Sequence, residues 1–205
     1  MQRNYKIFIK GITIVAIVTF IIIHFIIRGY KDMANVWELE SIWGDIGYTT
    51  VIVSLVMSIF NCLLWRIPFV GRCLHTPNIR GQWFGKGKSS CNNLEYSFSI
   101  KIDQSFLQTR VHGNFTKSKS DSFSSAFVHY EEIDKTILIY SYKNEPNIEY
   151  RNRAERKEED GLSIHYGTAK LDIDYDNLTE LHGTYWNDRQ CVGSWVLTKK
   201  DKNGK

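Results

Sequence analysis

The chain has 205 residues, enough for one ordinary domain with additions, and a formal net charge of +4 at pH 7. This charge is small and spread along the chain, so we expect no nucleic-acid polymer as a partner. The composition is uneven, because residues 1–69 are very apolar and the remainder is polar, aromatic-rich and charged. The sequence therefore predicts a membrane anchor followed by a water-exposed domain.

Two apolar runs, residues 7–27 and 46–65, predict membrane-spanning helices. At 1.5 Å per residue, about twenty residues cross a hydrocarbon core of about 30 Å. A secretory signal peptide is the rival reading of the first run, but that run is too long and no small-residue cleavage site follows it. We assign residues 1–67 to a two-helix transmembrane anchor, and we expect His24 near the membrane interface.

Charge differs on the two sides of these spans. The segment between them, residues 29–45, carries four acidic residues against one lysine. The basic residues flanking the spans on the side of the termini are Arg3, Lys6, Lys10, Arg66, Arg72 and Arg80. The positive-inside rule therefore predicts that both termini, and the domain after the second span, lie in the cytosol.

Residues 68–79 are predicted to be a hinge, because Pro68, Gly71 and Pro77 stop a helix from running straight through. Beyond the hinge, the pattern becomes alternating and predicts an all-β, eight-stranded antiparallel up-and-down barrel over residues 80–199, with a tail at 200–205. The strands are expected at about Arg80–Lys88, Leu94–Asp103, Phe106–Phe115, Phe123–Glu132, Lys135–Lys143, Gly161–Asp174, Glu180–Asn187 and Gln190–Lys199. Eight strands enclose roughly enough space for one small ligand.

Residue types with catalytic or metal-binding chemistry form no recognisable set. The cysteines have neither C-x-x-C nor zinc spacing, so we expect them to remain reduced, small apolar residues: Cys62, Cys73, Cys91 and Cys191. No Ser/His/Asp or Cys/His arrangement stands out by spacing, so we expect no catalytic residue, no metal site and no enzyme activity. The charged connection at residues 144–160 is either a solvated loop or a flap whose arginines close over an anionic ligand.

The C-terminal hairpin, residues 181–198, has the composition of a ligand site. Arg189 leaves a polar turn close to Tyr185 and Asn187. A planar cation, an aromatic face and an amide together can hold a planar base and a phosphate. Gly193 inside the second strand indicates a bend or a close backbone approach.

Two motifs support a family resemblance when they are read with the two helices before them. The β-rich part opens with Pro77-Asn-Ile-Arg-Gly-Gln-Trp83, whose G-x-W is similar to the start of lipocalin-type barrels, where the tryptophan plugs the barrel floor. It closes with Leu181-x-Gly-Thr-Tyr-Trp-Asn-Asp-Arg-x-x-x-Gly193. Over essentially its whole length, the chain resembles the two-transmembrane β-barrel effectors of CBASS anti-phage systems, the CD-NTase-associated 2TM β-strand-rich effectors. Cys191 is a departure, since Thr is expected there.

The resemblance implies a function and a setting in the bacterial inner membrane. A partner nucleotidyltransferase, the CD-NTase, makes a cyclic dinucleotide during phage infection, and the cytosolic, reduced lipocalin-like barrel binds it as an activating ligand, with no other cofactor. Binding drives homo-oligomerisation, and the clustered helices act on membrane lipid, breach the membrane and kill the cell. Tyr185, Asn187 and Arg189 match the closing motif and are the first candidates for ligand binding. Arg110 and Tyr142 are added from strand parity alone.

Two other function classes stay open at this point. A constitutive membrane-anchored, lipocalin-like carrier of a lipid or other small apolar ligand predicts an aliphatic interior with no arginine facing the cavity. A membrane enzyme predicts histidines and carboxylates that meet at one cavity wall. The sequence does not say which cyclic dinucleotide is recognised, or how many copies assemble.

Overall fold

A computed structural model describes residues 2–28, 39–91, 95–150 and 163–200 of the chain. It divides the chain into two compact units, Met1–Ile67 and Pro68–Lys205, which we describe one at a time. The arginines of the predicted flap lie outside the described residues, so the choice between loop and flap stays a prediction.

The first unit consists of two long apolar helices. Helix α1, Gln2–Ile21, continues as a π-helical segment, Ile22–Arg28. Helix α2, Leu39–Cys62, is followed by a 3-10 turn, Leu64–Arg66. The segments Phe8–Ile26 and Glu40–Arg66 are long and apolar enough to cross a membrane.

A buried polar contact joins the two helices. Helix α2 begins at Leu39, so Asp45 lies within the helix and not in the connecting segment where the sequence placed it. The Nδ1 atom of His24 is 2.8 Å from Oδ2 of Asp45, and both side chains are almost completely buried. Thr49 donates its hydroxyl hydrogen bond to the carbonyl oxygen of Asp45 (2.7 Å), and Phe20 stacks on the His24 ring. In helices that span a membrane, a buried ionisable side chain costs free energy unless it is paired.

The second unit begins with helix α3, Pro68–Cys73, and continues as strands. The eight strands are β1 Gly81–Ser89, β2 Glu95–Gln104, β3 Thr109–Asn114, β4 Ser118–Tyr130, β5 Lys135–Pro146, β6 His165–Ile173, β7 Glu180–Asn187 and β8 Val192–Lys199. Each strand pairs with the next in antiparallel orientation, and β8 pairs with β1. The predicted eight-stranded up-and-down barrel is therefore confirmed.

The starts of β3 and β4 differ from the sequence prediction for local reasons, and β5 extends to Pro146, into the predicted connection at residues 144–160. Strand β3 begins at Thr109 because a turn precedes it, in which the backbone N–H of Ser105 donates to the carbonyl oxygen of Gln108 (2.8 Å). Strand β4 begins at Ser118, in a polar stretch without apolar alternation. A bulge in β4 between Ser122 and Ser124 shifts its register against β5.

The apolar core fills one end of the barrel. We call this the hinge end, because the chain enters β1 there from α3, and we call the opposite end the mouth. Trp83 is completely buried, and its Nε1–H donates to the carbonyl oxygen of Ile79 (2.9 Å). The Gln104 side chain accepts from the Ile79 backbone N–H (3.0 Å) and donates to the Pro77 carbonyl oxygen (2.9 Å). Trp83 and Gln104 therefore close the barrel floor.

Side chains of the hinge segment also lie against the barrel. Arg72 in α3 is 3.1 Å from the Asp176 carboxylate and lies over the Tyr175 ring. The ring of His75, which has a positive φ of 48°, stacks on the ring of His129 in β4 at a centroid distance of 3.6 Å. Helix α3 is thus fixed at the hinge end of the second unit.

The contact between His24 and Asp45 generates a prediction for the helical unit. His24→Ala or Asp45→Ala leaves the other polar group buried without this partner, so each should lower the free energy of unfolding of the full-length protein in detergent. The double variant should cost less than the sum of the two, with a coupling energy of about 0.5–2 kcal/mol. Thr50→Ala is the control, since the Thr50 hydroxyl donates to the carbonyl oxygen of Ile46 in the same helix (2.8 Å). Additive single effects would contradict the pairing.

Candidate ligand-binding site

The barrel interior is open at the mouth. A cavity of about 810 Å³ begins above the apolar core and is bounded by the β1–β2, β3–β4 and β7–β8 turns and by the start of β6. Its volume lies within the range of about 300–1,000 Å³ that is typical of small-molecule sites. The eight-stranded barrel therefore has room for a small-molecule ligand.

Four tyrosines form the wall beneath the mouth: Tyr96, Tyr140, Tyr142 and Tyr185. The Nε1–H of Trp195 donates to the Tyr96 hydroxyl oxygen (2.8 Å), and the ring of Trp195 stacks on Tyr185. Burial raises the pKa of Tyr96, Tyr140 and Tyr142 above the usual tyrosine range. Tyrosine phenols are already neutral at physiological pH, and burial reinforces this state here, so they can donate hydrogen bonds without repelling an anion.

Three glycines make room for this tyrosine wall. A Cβ atom added at Gly87 would lie 2.8 Å from the Tyr96 ring, and one at Gly167 would meet the Tyr142 ring at 2.5 Å. An added Cβ at Gly193 would collide with the Tyr185 ring, so the predicted close approach at Gly193 is confirmed. The tyrosine rings thus occupy space that a side chain at these three positions would take.

The β7–β8 turn holds Arg189 at the rim of the cavity. The Asn187 side-chain oxygen accepts hydrogen bonds from the backbone N–H groups of Arg189 (3.1 Å) and Cys191 (3.0 Å). Gln190 has a positive φ of 61°, which completes the tight turn. Asp188 Oδ2 accepts from the backbone N–H of Tyr166 in β6 (3.0 Å). Asn187 therefore acts first of all as the organiser of the turn that carries Arg189.

His165 contacts Arg189 as a neutral imidazole. Its Nδ1–H donates to the carbonyl oxygen of Ser163 (3.2 Å), which leaves Nε2 as an acceptor for Arg189 Nη2 at 3.3 Å. Burial, followed by the positive charge of Arg189, lowers the pKa of His165. A neutral ring positions the guanidinium without neutralising its charge.

Four of the five sequence candidates meet in this cavity: Tyr142, Tyr185, Asn187 and Arg189. Arg110 does not line it. Because Phe106 and Leu107 belong to a turn, the parity of β3 is set by Thr109 and Val111, which point inward, and Arg110 is exposed on the outside. The parity assignment of Arg110 to the interior is therefore corrected.

Several lining residues were not singled out from the sequence: Tyr96, Tyr140, Asn144 and His165. Tyr140 shares the face of Tyr142, so the same alternation could have identified it. Asn144 and His165 are partners in the β5–β6 ladder, which only the strand register shows.

The cysteine prediction is wrong for two of the four residues. Cys91, just after β1, and Cys191, just before β8, form a disulfide at the rim of the cavity. Cys62 and Cys73 are free thiols, as expected. Cys91 and Cys191 are 100 residues apart in sequence and become neighbours only because β8 closes the barrel against β1.

A second depression, of about 480 Å³, lies at the hinge end and has the wrong charge for an anionic guest. Its permanent cations are Arg72 and Lys135. Its carboxylates outnumber them: Asp134, Asp172, Asp174, Asp176 and Glu180. The mouth cavity has the opposite balance, with Arg189 and Lys117 against Glu95. An anionic ligand therefore favours the mouth.

The lowered pKa of His165 predicts a dependence of stability on pH. As the pH falls below the ordinary histidine pKa of 6.5, His165 takes up a proton in the unfolded chain before it does so in the folded chain. The free energy of unfolding therefore decreases on acidification. At higher pH the contribution of His165 to this free energy is constant. His165→Gln should therefore lose less unfolding free energy than the wild type between about pH 7.5 and pH 5. Denaturant titrations at a series of pH values measure this.

His182→Gln, on the outer face of β7, controls for the removal of an imidazole. Parallel pH profiles for the wild type and His165→Gln would contradict the assignment of a neutral His165.

Comparison with known proteins identifies a family for the second unit. Residues 74–199, more than half of the chain, match the family described as "Cap15, cyclic dinucleotide receptor domain". A solved redesigned beta barrel, mFAP0, bound to DFHBI, covers 59% of this chain and 98% of its own, at 8% identity and a TM-score of 0.26. We draw no conclusion on fold or function from this distant similarity.

Two relatives carry the name "CD-NTase-associated protein 15". The one from Yersinia aleksiciae is 29% identical over 147 residues, which are 68% of this chain and 64% of that relative. The one from Staphylococcus schleiferi is 25% identical over 181 residues, which are 75% of this chain and 92% of that relative. The chain thus spans just under two thirds of the length of the first relative. On the match over residues 74–199, this chain belongs to the Cap15 cyclic dinucleotide receptor domain family.

Proposed function

We propose that this protein is a CBASS antiviral effector whose barrel binds a cyclic dinucleotide at the mouth. The observation that carries the proposal is the open cavity with Arg189 at its rim and neutral tyrosines on its wall, in a chain of the Cap15 receptor-domain family. A partner CD-NTase supplies the ligand, as the name of the two relatives suggests. The role is that of a receptor and not of an enzyme.

The tyrosine wall suits the bases of such a ligand. Base–aromatic stacking is worth about 1–3 kcal/mol per base and tolerates different bases. The hydroxyls of Tyr96 and Tyr142 and the buried amide of Asn144 add hydrogen-bonding groups near the stacking surfaces. The buried polar groups of such a wall discriminate between ligands, because a ligand that does not pair with them leaves them unsatisfied.

The cationic side chains at the mouth suit the two phosphates of a cyclic dinucleotide. Arg189 lies in the β7–β8 turn and Lys117 in the β3–β4 turn, and both line the cavity. Four strands separate these turns in a closed ring of eight, so the two side chains approach the mouth from opposite sides. A cyclic dinucleotide carries its phosphates on opposite sides of its ring, and arginine can bind one of them through two parallel hydrogen bonds.

The carrier alternative fits this cavity poorly. A carrier of a lipid needs an aliphatic interior, whereas the wall here is mainly aromatic. Ile100 and Pro146 are the aliphatic side chains among the lining residues that the structure describes. Four tyrosines line the cavity with Asn144 and His165, and Arg189 lies at the rim. Burying an apolar ligand against these groups would leave hydrogen-bond donors unpaired, at a cost of about 1–3 kcal/mol each.

The helices are the proposed effector part. In this proposal the two helices lie in the bacterial inner membrane, with both termini and the barrel in the cytosol. Basic residues flanking the helices on the side of the termini support this orientation. Ligand binding acts on membrane lipid only if an assembled state binds the ligand more tightly than the monomer does, so the proposal includes homo-oligomerisation.

Arg189 provides the sharpest test of ligand binding. The full-length protein in detergent is titrated calorimetrically with 3′–5′ linked cyclic dinucleotides that combine each pair of the four RNA bases. Arg189→Ala should weaken the binding of the best ligand by about 10- to 100-fold, the loss expected for one charge-assisted contact, and Arg189→Lys should lose less. Arg110→Ala, on the outer surface, should bind like the wild type.

Two outcomes would contradict this proposal. No binding by any ligand of the panel would remove the receptor function. Equal affinities for Arg189→Ala and Arg110→Ala would show that the ligand does not use the rim of this cavity.

The membrane step has its own prediction. The full-length protein in liposomes that hold a self-quenched dye should release the dye only after the best ligand is added, and the size of the complex should increase at the same time. Arg189→Ala should need a correspondingly higher ligand concentration, because it changes only the binding step. Dye release that is independent of ligand would contradict ligand-driven assembly.

A further inference from the structure

The Cys91–Cys191 disulfide lies at the junction of two turns that border the cavity. Cys91 is two residues beyond Ser89, which pairs with Gly193 in the β1–β8 ladder. The Cα atoms of the two cysteines are 5.4 Å apart, close to the separation of about 5.5 Å in a hydrogen-bonded antiparallel pair. The disulfide therefore adds one covalent rung to the seam that closes the barrel.

This rung is directly coupled to the turn that carries Arg189. The Cys191 backbone N–H donates to the same Asn187 oxygen that holds the Arg189 N–H, and the Cys191 carbonyl accepts from the Asn187 N–H (3.1 Å). Cys191 Sγ is also 3.7 Å from the Arg189 carbonyl oxygen. The position of Cys191 thus helps to determine where the Arg189 side chain starts.

The seam itself does not depend on the disulfide. The Ser90 backbone N–H donates to the Val192 carbonyl oxygen (2.8 Å), and the Val192 N–H donates to the Ser90 hydroxyl (3.0 Å). Neither these bonds nor the ladder from Ser89 onward involve a sulfur atom. Breaking the disulfide therefore leaves the barrel closed and removes one covalent restraint from the rim of the cavity.

We propose that Cys91 and Cys191 form a reversible thiol–disulfide exchange site, and that its oxidised form holds the Arg189 turn ready to bind the ligand. The inference rests on the proposed function. Disulfides in cytosolic proteins are mostly transient, catalytic or redox-sensing, so a pair at the ligand rim of a domain proposed to be cytosolic fits a sensing role. Ordering the turn before binding lowers the entropic cost of binding.

The exchange partner belongs to the class of low-molecular-weight disulfides of the glutathione type. Cys91 is exposed and Cys191 is buried, so the Cys91 thiolate attacks the small disulfide first, forms a mixed disulfide and releases one small thiol. Cys191 then attacks the Cys91 sulfur and releases the second small thiol. In total, one small disulfide is reduced to two small thiols, and the two protein thiols are oxidised to a disulfide. The two protons of the protein thiols end on the two small thiols.

The test compares the two redox states of the full-length protein in detergent. After equilibration with oxidised or reduced glutathione, each form is titrated with the tightest ligand of the cyclic dinucleotide panel. The reduced form should bind about two- to tenfold more weakly, the factor expected when one long side chain must be ordered on binding. Alkylation of free thiols followed by mass spectrometry of the peptides reports the state of each cysteine.

Two variants complete the test. Cys91→Ser/Cys191→Ser should bind like the reduced wild type in both buffers. Cys62→Ser/Cys73→Ser removes the two free thiols and should keep the full response to glutathione.

Three results separate this inference from the proposed function. Equal affinities of the oxidised and reduced forms overturn the inference and leave the receptor function standing. Free thiols at Cys91 and Cys191 in oxidised glutathione also overturn it, because the site then does not exchange. No binding of any panel ligand by either form overturns both.

Discussion

The pairing of β8 with β1 is the constraint on which the rest of the barrel depends. It leaves no free strand edge and fixes the circumference at eight strands, so inward side chains must fill a space of set width. At the hinge end, Trp83 and the aliphatic residues above it are almost completely buried in that space. At the mouth, Gly87, Gly167 and Gly193 take away volume and tyrosine rings lie over the bare backbone. One closed sheet thereby provides both a solid core and an open cavity.

Closure also assembles the site from segments that are far apart in sequence. Cys91 follows the first strand and Cys191 precedes the last, yet they are joined, and His165 reaches Arg189 from the start of β6. The chemistry of the mouth is consequently a property of the register between strands. A one-residue slip of β7 against β8 would exchange the inward and outward faces and remove Tyr185 from the wall.

Much of this architecture could be predicted from the sequence, because alternation, apolar run length and turn residues are local signals. The closing hairpin concentrated Tyr185, Asn187 and Arg189 in a short segment, so these residues were found together. Arg110 was misplaced because the parity of β3 depends on where a turn ends. His165 and the disulfide were missed because they depend on neighbours that only the closed sheet supplies. The partner of His24 was missed because Asp45 was assigned to a loop.

The distance between the mouth and the hinge segment has a consequence for how the protein responds to a ligand. Strand β1 has nine residues, which corresponds to roughly 20 Å of height after strand tilt, and the packed floor of Trp83 and Gln104 lies between the cavity and helix α3. No residue of α3 lines the cavity. A signal from the cavity to α3 would have to pass through this floor. A change in contacts between neighbouring barrels would not. The proposed homo-oligomerisation takes the second route, so ligand binding would alter contacts between molecules without a signal crossing the barrel floor.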